Sequence, residues 1–199
     1  MTQSERAAAF RRLHDRPGAF VIPNPWDAGS ARVLAGLGFE ALATTSSGLA
    51  FSLGRPDASG AVSRDEALLS AAAIVEATPL PVSADLEGCF GDDPETVAET
   101  ILLAAGVGVV GGSVEDATTR PEDPIYPFQD AVDRVAAAVD AARSLPFPFV
   151  VTARAENHLY GRSDLDDTIR RLQAYEAAGA DVLYAPGLRR IADVRAVCS

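Results

Sequence analysis

Short apolar segments alternate with longer helix-like segments along almost the whole chain, and this alternation limits the possible folds more than any other feature. Consecutive strands that are separated by helices pair in parallel, with right-handed crossovers and with the helices outside the sheet. The pattern therefore predicts an α/β protein with a parallel sheet. The predicted strands are residues 19–22, 40–44, 81–84, 107–114, 147–153 and 181–184.

Capping signals mark the predicted helices between these strands. Ser63 and Glu66 have the spacing of a capping box, and Pro94 follows two aspartates at the start of the next helix. Gly106 is predicted to end that helix, because glycine adopts the left-handed conformation of a helix C-cap at little cost. Residues 45–60, between the second strand and the capping box, are predicted to form an extended loop.

A (β/α)8 barrel and an open doubly wound sheet both contain such alternating units. The chain has no Gly-x-Gly-x-x-Gly after the first strand and no Gly-x-x-x-x-Gly-Lys-Ser/Thr, which removes the main support for a nucleotide-binding open sheet. The prediction is therefore an α/β fold of the (β/α)8 TIM-barrel type, formed as a single domain by residues 1–199. Because closure normally takes eight units in about 250 residues, the barrel is expected to be truncated after about six βα units, with an open seam.

Polar clusters follow three of the predicted strands at the point where each strand ends. The third strand is followed by Asp85 and Glu87, the fourth by Glu115, and the fifth by Arg154. The carboxyl ends of parallel barrel strands lie on one rim, which carries the active site in enzymes of this architecture. These carboxylates and the guanidinium are therefore expected to meet at one site. The alternative is that the acids only cap the helices that follow.

The formal net charge of −11 disfavours nucleic acid or an anionic membrane as a partner, because both bind to basic surfaces. A small anionic substrate is compatible with this charge if a cation and Arg154 offset the local field. The beginning of the chain lacks a signal-peptide core, no apolar run is long enough to span a bilayer, and the two widely separated cysteines suggest a reducing compartment. The protein is expected to be cytoplasmic.

One segment resembles the Asp-x-Asp-x-Gly-Tyr-Gly segment of the phosphoenolpyruvate mutase and isocitrate lyase superfamily, namely residues 85–91, Asp-Leu-Glu-Gly-Cys-Phe-Gly. The resemblance spans about residues 15–190 and implies an α/β barrel that binds Mg²⁺ and α-oxo acids. It also implies an enolate-like pyruvyl intermediate, and a homo-oligomer for full-length members. The other segments that are similar to the family, in the same order, are residues 27–31, 47–48, 53–57, 114–116 and 153–154.

A Mg²⁺ site is expected at Asp85, Glu87 and Glu115. Magnesium prefers oxygen ligands and keeps several of its waters, so one direct carboxylate that is supported by others through water is a suitable site. Asp85 is predicted to be the direct ligand. The resemblance implies that Glu87 and Glu115 hold metal-bound waters, with Glu87 standing where the family usually has an aspartate.

Arg154 is predicted to bind the substrate and to take part in catalysis. Its planar guanidinium can hold a carboxylate or a phosphonate through two parallel hydrogen bonds, which a lysine cannot reproduce. Asp85 is predicted to share substrate binding with it, and Glu115 is predicted to share catalysis. The alternative for Arg154 is a salt bridge to Glu115 or Glu156.

The loop after the second strand is predicted to complete the site. Ser47 and Gly48 offer backbone N–H groups to the substrate carboxylate, as in an anion-binding nest, and Ser46 belongs to the same substrate-binding segment. A plain surface loop is the alternative. Asp57 resembles a catalytic acid position in part of the family and is predicted to act as a base or a positioning group, although Arg-Pro-Asp is equally typical of a turn.

Residues 116–124 differ from the family pattern. The lyase branch has a Lys-Lys-Cys-Gly-His loop here, whose cysteine protonates the leaving product, and the mutase branch uses a lysine and an asparagine to hold the phosphonyl group. This loop has no cysteine, lysine or histidine, and Arg120 is its only basic residue. The chain is therefore predicted to belong to a branch without the lyase loop. Carbon–carbon cleavage or decarboxylation of a small α-oxo acid is predicted ahead of mutase or hydrolase chemistry at a carbon–phosphorus bond.

Two other functions are compatible with the same residues. A chain that lacks part of the rim would be a catalytically inactive remnant that binds an oxo acid or has a structural role. A Mg²⁺-dependent aldolase on a similar barrel would act on pyruvate and an aldehyde. Turnover of oxo acids that depends on Mg²⁺ and on Asp85 distinguishes the predicted enzyme from the remnant.

Overall fold

Helices and strands alternate along residues 1–199, all of which the computed structural model describes. The helices are α1 Gln3–Asp15, α2 Ala28–Gly36, α3 Ser46–Ser52, α4 Arg64–Ala77, α5 Pro94–Gly106, α6 Phe128–Arg143, α7 Leu165–Ala177 and α8 Ile191–Val197. The strands are β1 Leu42–Ala43, β2 Val82–Asp85, β3 Gly111–Glu115, β4 Val150–Arg154 and β5 Val182–Tyr184. None of these helices combines the length and the apolar character that crossing a bilayer requires.

All five strands pair in parallel, and they lie in the sheet in the order of the sequence, from β1 at one edge to β5 at the other. The result is a curled half-barrel, which agrees with the predicted barrel type and not with the rearranged strand order of a doubly wound sheet. The register places Glu115 of β3 opposite Arg154 of β4, and Asp85 of β2 opposite Ser113 of β3. Three predicted site residues therefore end three adjacent strands.

The prediction of six strands is wrong at residues 19–22, which do not form a strand. Pro23 and Pro25 follow this segment, and proline has no N–H group to donate to a ladder. The segment is joined to β1 by a backbone hydrogen bond from the Ala43 N–H to the Pro23 carbonyl (3.1 Å). The Asn24 side chain adds a hydrogen bond to the Ala43 carbonyl (3.0 Å). The sheet has five strands for this reason.

Two local boundaries also differ from the prediction. Residues 45–60 are not a continuous loop, because they contain α3. Thr45 precedes this helix in an extended conformation, and its hydroxyl accepts a hydrogen bond from the Gly48 N–H (3.2 Å), as an N-cap does. At the end of α5, Gly106 is the last helical residue, and the left-handed conformation occurs two residues later, at Gly108 (φ 97°).

The hydrophobic core has two parts, and their positions leave one end of the sheet free. The main cluster of 29 buried residues lies between the strands and helices such as α5 and α6, with Val82, Ile101 and Val135 among its members. A second cluster of six buried residues joins α1 to the amino ends of the strands: Ala7, Phe10, Leu13, Ala41, Val110 and Val150. Because α1 covers the amino ends, the carboxyl ends are available for a site.

Gly111 lies inside the sheet at a place where a side chain has no room. A Cβ atom there would lie 2.9 Å from both the Val150 carbonyl oxygen and the Phe10 ring. Gly111→Ala is therefore expected to lower the free energy of unfolding in urea by about 1–3 kcal/mol. Gly36→Ala is the control, since a Cβ atom there meets nothing within 4 Å, and it is expected to leave stability unchanged or raised. Equal stabilities of the two variants would contradict the close contact.

Candidate active site at the carboxyl ends of the strands

Arg154 joins the acidic groups at the ends of three strands. Its Nη1 atom lies 3.0 Å from Glu115 Oε1 and 3.5 Å from Asp85 Oδ1. Its Nε atom donates a hydrogen bond to Glu156 Oε1 at 2.7 Å. The helices that follow β2 and β4 are capped by Asp93 and Asp164, and the helix that follows β3 begins after Pro127 without a side-chain cap, so capping does not explain these acids. The structure therefore places Asp85, Glu115 and Arg154 in one shared environment.

Asp85 is held in one orientation by Ser46. The Oδ2 atom of Asp85 accepts hydrogen bonds from the backbone N–H and the hydroxyl of Ser46, at 2.9 and 2.8 Å. The Oδ1 atom has longer contacts, to the Ser113 hydroxyl at 3.3 Å and to the Glu87 N–H at 3.5 Å. Asp85 Oδ1 is therefore the carboxylate oxygen that is more available to a ligand.

An open cavity of about 1680 Å³ extends from this end of the sheet to Phe10 and His14 of α1. Its lining contains most of the predicted site residues, from four different strand ends and their loops. These residues are Ser46, Ser47, Asp57, Asp85, Glu87, Glu115 and Arg154. The cavity is wide enough for a small carboxylate and its hydration.

Gly48 and Asp57 are placed differently from the other predicted residues. The Gly48 N–H donates to the Thr45 hydroxyl, and a Cβ atom at this position would lie 2.7 Å from the Trp26 indole ring. Glycine is therefore needed here for packing, and its N–H belongs to the helix cap. Asp57 lies on an exposed loop that borders the cavity. Substrate contact by Gly48 and a catalytic role for Asp57 stay predictions.

Burial raises the pKa of the two glutamates that face Arg154. It raises the pKa of Glu115 well above its usual value, and the charge of Arg154 lowers this pKa without cancelling the increase. Burial also raises the pKa of Glu156, against the opposing charge of Arg154. For Arg154 itself, burial lowers the pKa, but Glu115, Glu156 and Asp85 together raise it above the usual value. One guanidinium faces several carboxyl groups, so the cluster can accommodate a further cation.

The donor atoms of this cluster fit Mg²⁺ that keeps most of its waters. Asp85 would hold the ion directly, and Glu87 and Glu115 would hold it through waters. All three offer carboxylate oxygens, which magnesium prefers, and Asp85 Oδ1 has only long contacts within the protein. No group of three or more His, Cys, Asp or Glu side chains is placed to hold one ion. This is compatible with a single direct ligand.

A buried network holds Glu156, and the sequence pattern does not indicate it. Asp116 Oδ1 accepts a hydrogen bond from the Glu156 backbone N–H at 2.8 Å. Asp116 Oδ2 accepts hydrogen bonds from the Tyr175 hydroxyl at 2.7 Å and from Arg171 Nη1 at 3.1 Å. Asp116 therefore fixes the backbone of the residue whose carboxylate orients Arg154.

Two tyrosines contribute to the cavity, and sequence reasoning did not assign either of them to the site. Tyr160 and Tyr184 line the cavity. The guanidinium carbon of Arg154 lies 5.1 Å from the centroid of the Tyr184 ring, within the range of a cation–π contact. Burial, followed by the charges of Glu115 and Glu156, raises the pKa of Tyr160 to about 12. Its hydroxyl therefore keeps its proton at neutral pH.

Glu87 is expected to make the stability of the metal-free protein depend on pH. Burial, together with the charges of Asp85 and Asp57, raises its pKa from 4.5 to about 7. Between these pH values the folded chain keeps a proton that the unfolded chain releases, so the free energy of unfolding falls as the pH rises. After allowance for partial exposure, the fall due to Glu87 is about 1–2 kcal/mol. Urea unfolding of Glu87→Gln, measured in EDTA at several pH values, should not show this fall in the free energy of unfolding. A pH dependence equal to that of the wild type would disprove the raised pKa of Glu87.

A curled parallel sheet with acids and an arginine at its carboxyl ends is typical of barrel enzymes that act on small anions. The chain belongs to the phosphoenolpyruvate mutase/isocitrate lyase superfamily, because residues 10–199 match the family model for phosphoenolpyruvate phosphomutase. The 2-methylisocitrate lyase of Salmonella typhimurium is 32% identical over 202 residues, which cover 95% of this chain and 67% of that enzyme. The family that the sequence resembles is thus confirmed.

Solved structures show the same fold. A lyase/mutase-type protein of Burkholderia cenocepacia J2315 is 64% identical and has a TM-score of 0.95, with 98% of this chain and 69% of that chain covered. A phosphonopyruvate hydrolase in complex with oxalate and Mg²⁺ is 25% identical and has a TM-score of 0.89, with 99% of this chain and 68% of that chain covered. The present chain spans about two thirds of the length of the curated relatives that it matches.

Proposed function

We propose that this chain forms the active-site half-barrel of a Mg²⁺-dependent enzyme that acts on a small α-oxo carboxylate, as a carbon–carbon lyase or a decarboxylase. The observation that carries the proposal is the convergence of Asp85, Glu115 and Arg154 on one cavity. The five-stranded sheet is proposed to be part of a (β/α)8 TIM-type barrel, which the sequential parallel strand order supports.

Arg154 is proposed to bind the carboxylate of the substrate. Its hydrogen bond to Glu156 through Nε fixes the orientation of the guanidinium, and a fixed plane is what bidentate binding of a carboxylate requires. Ser46 and Ser47 lie in the first turn of α3, on the same cavity. They are proposed to contact the same substrate. Ser46 also orients the neighbouring Asp85 carboxylate.

The acids are proposed to divide between metal binding and proton transfer. Asp85 would be the direct ligand of Mg²⁺, and Glu87 and Glu115 would accept hydrogen bonds from its waters. When bound, Mg²⁺ supplies stabilisation of the negative charge that develops on an oxo acid. Asp57 borders the cavity and is proposed to act as a base or a positioning group. Glu115, whose pKa is raised, can hold a proton beside Arg154.

The loop after β3 favours carbon–carbon over carbon–phosphorus chemistry. A phosphonyl group carries up to two negative charges and needs cationic partners. Arg120 is the only basic residue between positions 116 and 124, and its guanidinium donates to Asp92 at 2.8 Å. Arg120 does not line the cavity, so the loop presents no cation to a phosphonyl group bound there.

Turnover of oxaloacetate by this chain tests the proposal. We expect Mg²⁺-dependent loss of oxaloacetate, inhibition by oxalate as an analogue of the pyruvate enolate, and loss of turnover in Asp85→Ala. Asp140→Ala is the matched control, since Asp140 is an exposed carboxylate on α6, away from the cavity lining. It should keep wild-type turnover.

Three other outcomes would contradict the proposal in different ways. Binding of oxalate without turnover of any oxo acid would indicate an oxo-acid-binding remnant. Turnover of phosphonopyruvate in preference to oxaloacetate would indicate a phosphonopyruvate mutase or hydrolase. Activity that survives Asp85→Ala would show that the site lies elsewhere.

A further inference from the structure

Arg134, on α6, is a buried arginine whose hydrogen bonds go to backbone carbonyl groups and not to carboxylates. It is 1% exposed. Its Nη1 atom donates to the carbonyls of Gly91 and Asp92, both at 2.6 Å, and its Nη2 atom donates to the carbonyl of Gly88. Its Nε atom has no partner. Burying a guanidinium without a carboxylate partner is costly, so the contacts that it makes to residues 88–92 need an explanation.

The segment that Arg134 holds is strained. Glu87, Cys89 and Phe90 have φ angles of 49°, 57° and 62°, in the left-handed region that residues with a side chain rarely adopt. Gly88 and Gly91, which would adopt this region without strain, do not have positive φ angles. A Cβ atom at Gly88 would instead lie 3.0 Å from a neighbouring carbonyl oxygen, and one at Gly91 would lie 2.5 Å from a methyl group of a threonine. These glycines are needed for close packing, and the strain falls on their neighbours.

The strained segment links the ends of β2 and β3 at the site. The Glu87 carbonyl accepts a hydrogen bond from the Glu115 N–H at 2.9 Å, and the Glu87 N–H lies 3.5 Å from Asp85 Oδ1. On its other side, the Arg134 guanidinium carbon lies 4.2 Å from the centroid of the Tyr126 ring. The Tyr126 hydroxyl donates to Asp92. Arg134 therefore fills the space between the strained segment and the loop after β3.

We infer that Arg134 is a positioning residue that holds residues 87–91 in a strained conformation and so directs Glu87 towards a divalent cation at Asp85. This inference rests on the proposed metal-dependent function. Three hydrogen bonds from two nitrogens of one rigid planar group constrain three carbonyls at once, whereas the donors of a lysine all belong to one nitrogen at the end of a flexible side chain. Without Arg134 the segment would relax towards unstrained φ angles, and Glu87 would move away from the cation.

Binding of Mn²⁺, used as a paramagnetic probe for the magnesium site, tests this role. We expect Arg134→Met to weaken Mn²⁺ binding, titrated by electron paramagnetic resonance, by about 10–100-fold while the far-UV circular dichroism stays that of the wild type. A second substitution separates strain from packing. Phe90→Gly and Phe90→Ala both remove the same ring, but only glycine adopts the left-handed conformation without strain. In the Arg134→Met background, Phe90→Gly should restore part of the affinity, and Phe90→Ala should not.

The outcomes distinguish this inference from the proposed function. Wild-type chain that binds no Mn²⁺, or Asp85→Ala that binds it normally, would overturn the proposed function and this role together. Normal Mn²⁺ affinity of Arg134→Met, with Asp85→Ala defective, would overturn this role alone. Equal effects of glycine and alanine at Phe90 would overturn it as well. If Arg134→Met does not fold, Arg134→Lys takes its place under the same expectations, because it keeps the charge and loses the planar set of donors.

Discussion

Arg154→Met is expected to lower the free energy of unfolding by about 3–5 kcal/mol at pH 8 and to abolish turnover. The substitution removes the one cation that lies 3.0 Å from Glu115, 3.5 Å from Asp85 and 2.7 Å from Glu156, and it leaves these acids buried together. Since burial already raises the pKa of Glu115 and of Glu156, both should take up a proton in the variant. Urea unfolding should therefore show that the loss of stability shrinks as the pH is lowered.

Two further arginine variants separate charge from geometry. Arg154→Lys keeps the charge but cannot form two hydrogen bonds in one plane, as the guanidinium does. Its turnover is therefore expected to fall by about 100-fold or more. Its loss of stability is expected to be smaller than that of Arg154→Met. Arg170→Met is the control, because Arg170 is 63% exposed and its ion pair with Asp167 lies on the surface of α7. It should change the free energy of unfolding by less than about 1 kcal/mol. Wild-type stability of Arg154→Met would refute the buried cluster.

The sequence was enough to predict that the acids and Arg154 lie close together, because their proximity follows from the topology of the sheet. Parallel strands in sequential order bring their carboxyl ends together, so acids after β2 and β3 and an arginine after β4 must be neighbours. The start of α4 was predictable for a similar reason, since the Ser63–Glu66 capping box depends on residues three apart. Both inferences need only local pattern and the order of elements.

Other features depend on contacts that a sequence pattern does not encode. The α3 helix begins in a serine- and glycine-rich segment, and the Asp85 carboxylate binds the backbone of its first turn from another strand end. Glu156 is a site residue because Asp116 and α7 fix its backbone, and nothing in the spacing of Arg171 or Tyr175 indicates this partnership. Such contacts are set by how helices pack on the sheet.

The conformation of residues 87–91 is the clearest case in which local rules give the wrong assignment. Sequence rules would place the left-handed φ angles at Gly88 and Gly91. The structure places them at Glu87, Cys89 and Phe90, because packing leaves no room for a side chain at the glycines. Departures from local preference are expected where a site needs a particular geometry, and this one adjoins Asp85.

Asp116→Ala is expected to lower the free energy of unfolding by about 3–5 kcal/mol. It removes the buried carboxylate that lies 3.1 Å from the Arg171 guanidinium, which is 7% exposed, and leaves this guanidinium with the more exposed Asp167 at 2.8 Å as its remaining acidic partner. It also removes the acceptors of the Tyr175 hydroxyl and the Glu156 N–H. Tyr175→Phe removes only one of these hydrogen bonds and should cost about 1–2 kcal/mol. Urea unfolding measures both values, and Asp140→Ala, on the exposed face of α6, should change stability by less than about 0.5 kcal/mol.

The same variants show whether the network acts on the site or only on stability. Because Asp116 binds the Glu156 backbone and Glu156 orients Arg154, Asp116→Ala should speed amide hydrogen exchange at residues 155–157 under conditions where the protein stays folded. It should also raise the KM for an oxo acid, since Arg154 is no longer held in one plane. Tyr175→Phe keeps the Glu156 contact, so it should lose stability with little change in KM. If both variants lost stability and kept the wild-type KM, the network would be purely structural, and Arg154 would owe its orientation to Glu115 and Asp85 instead.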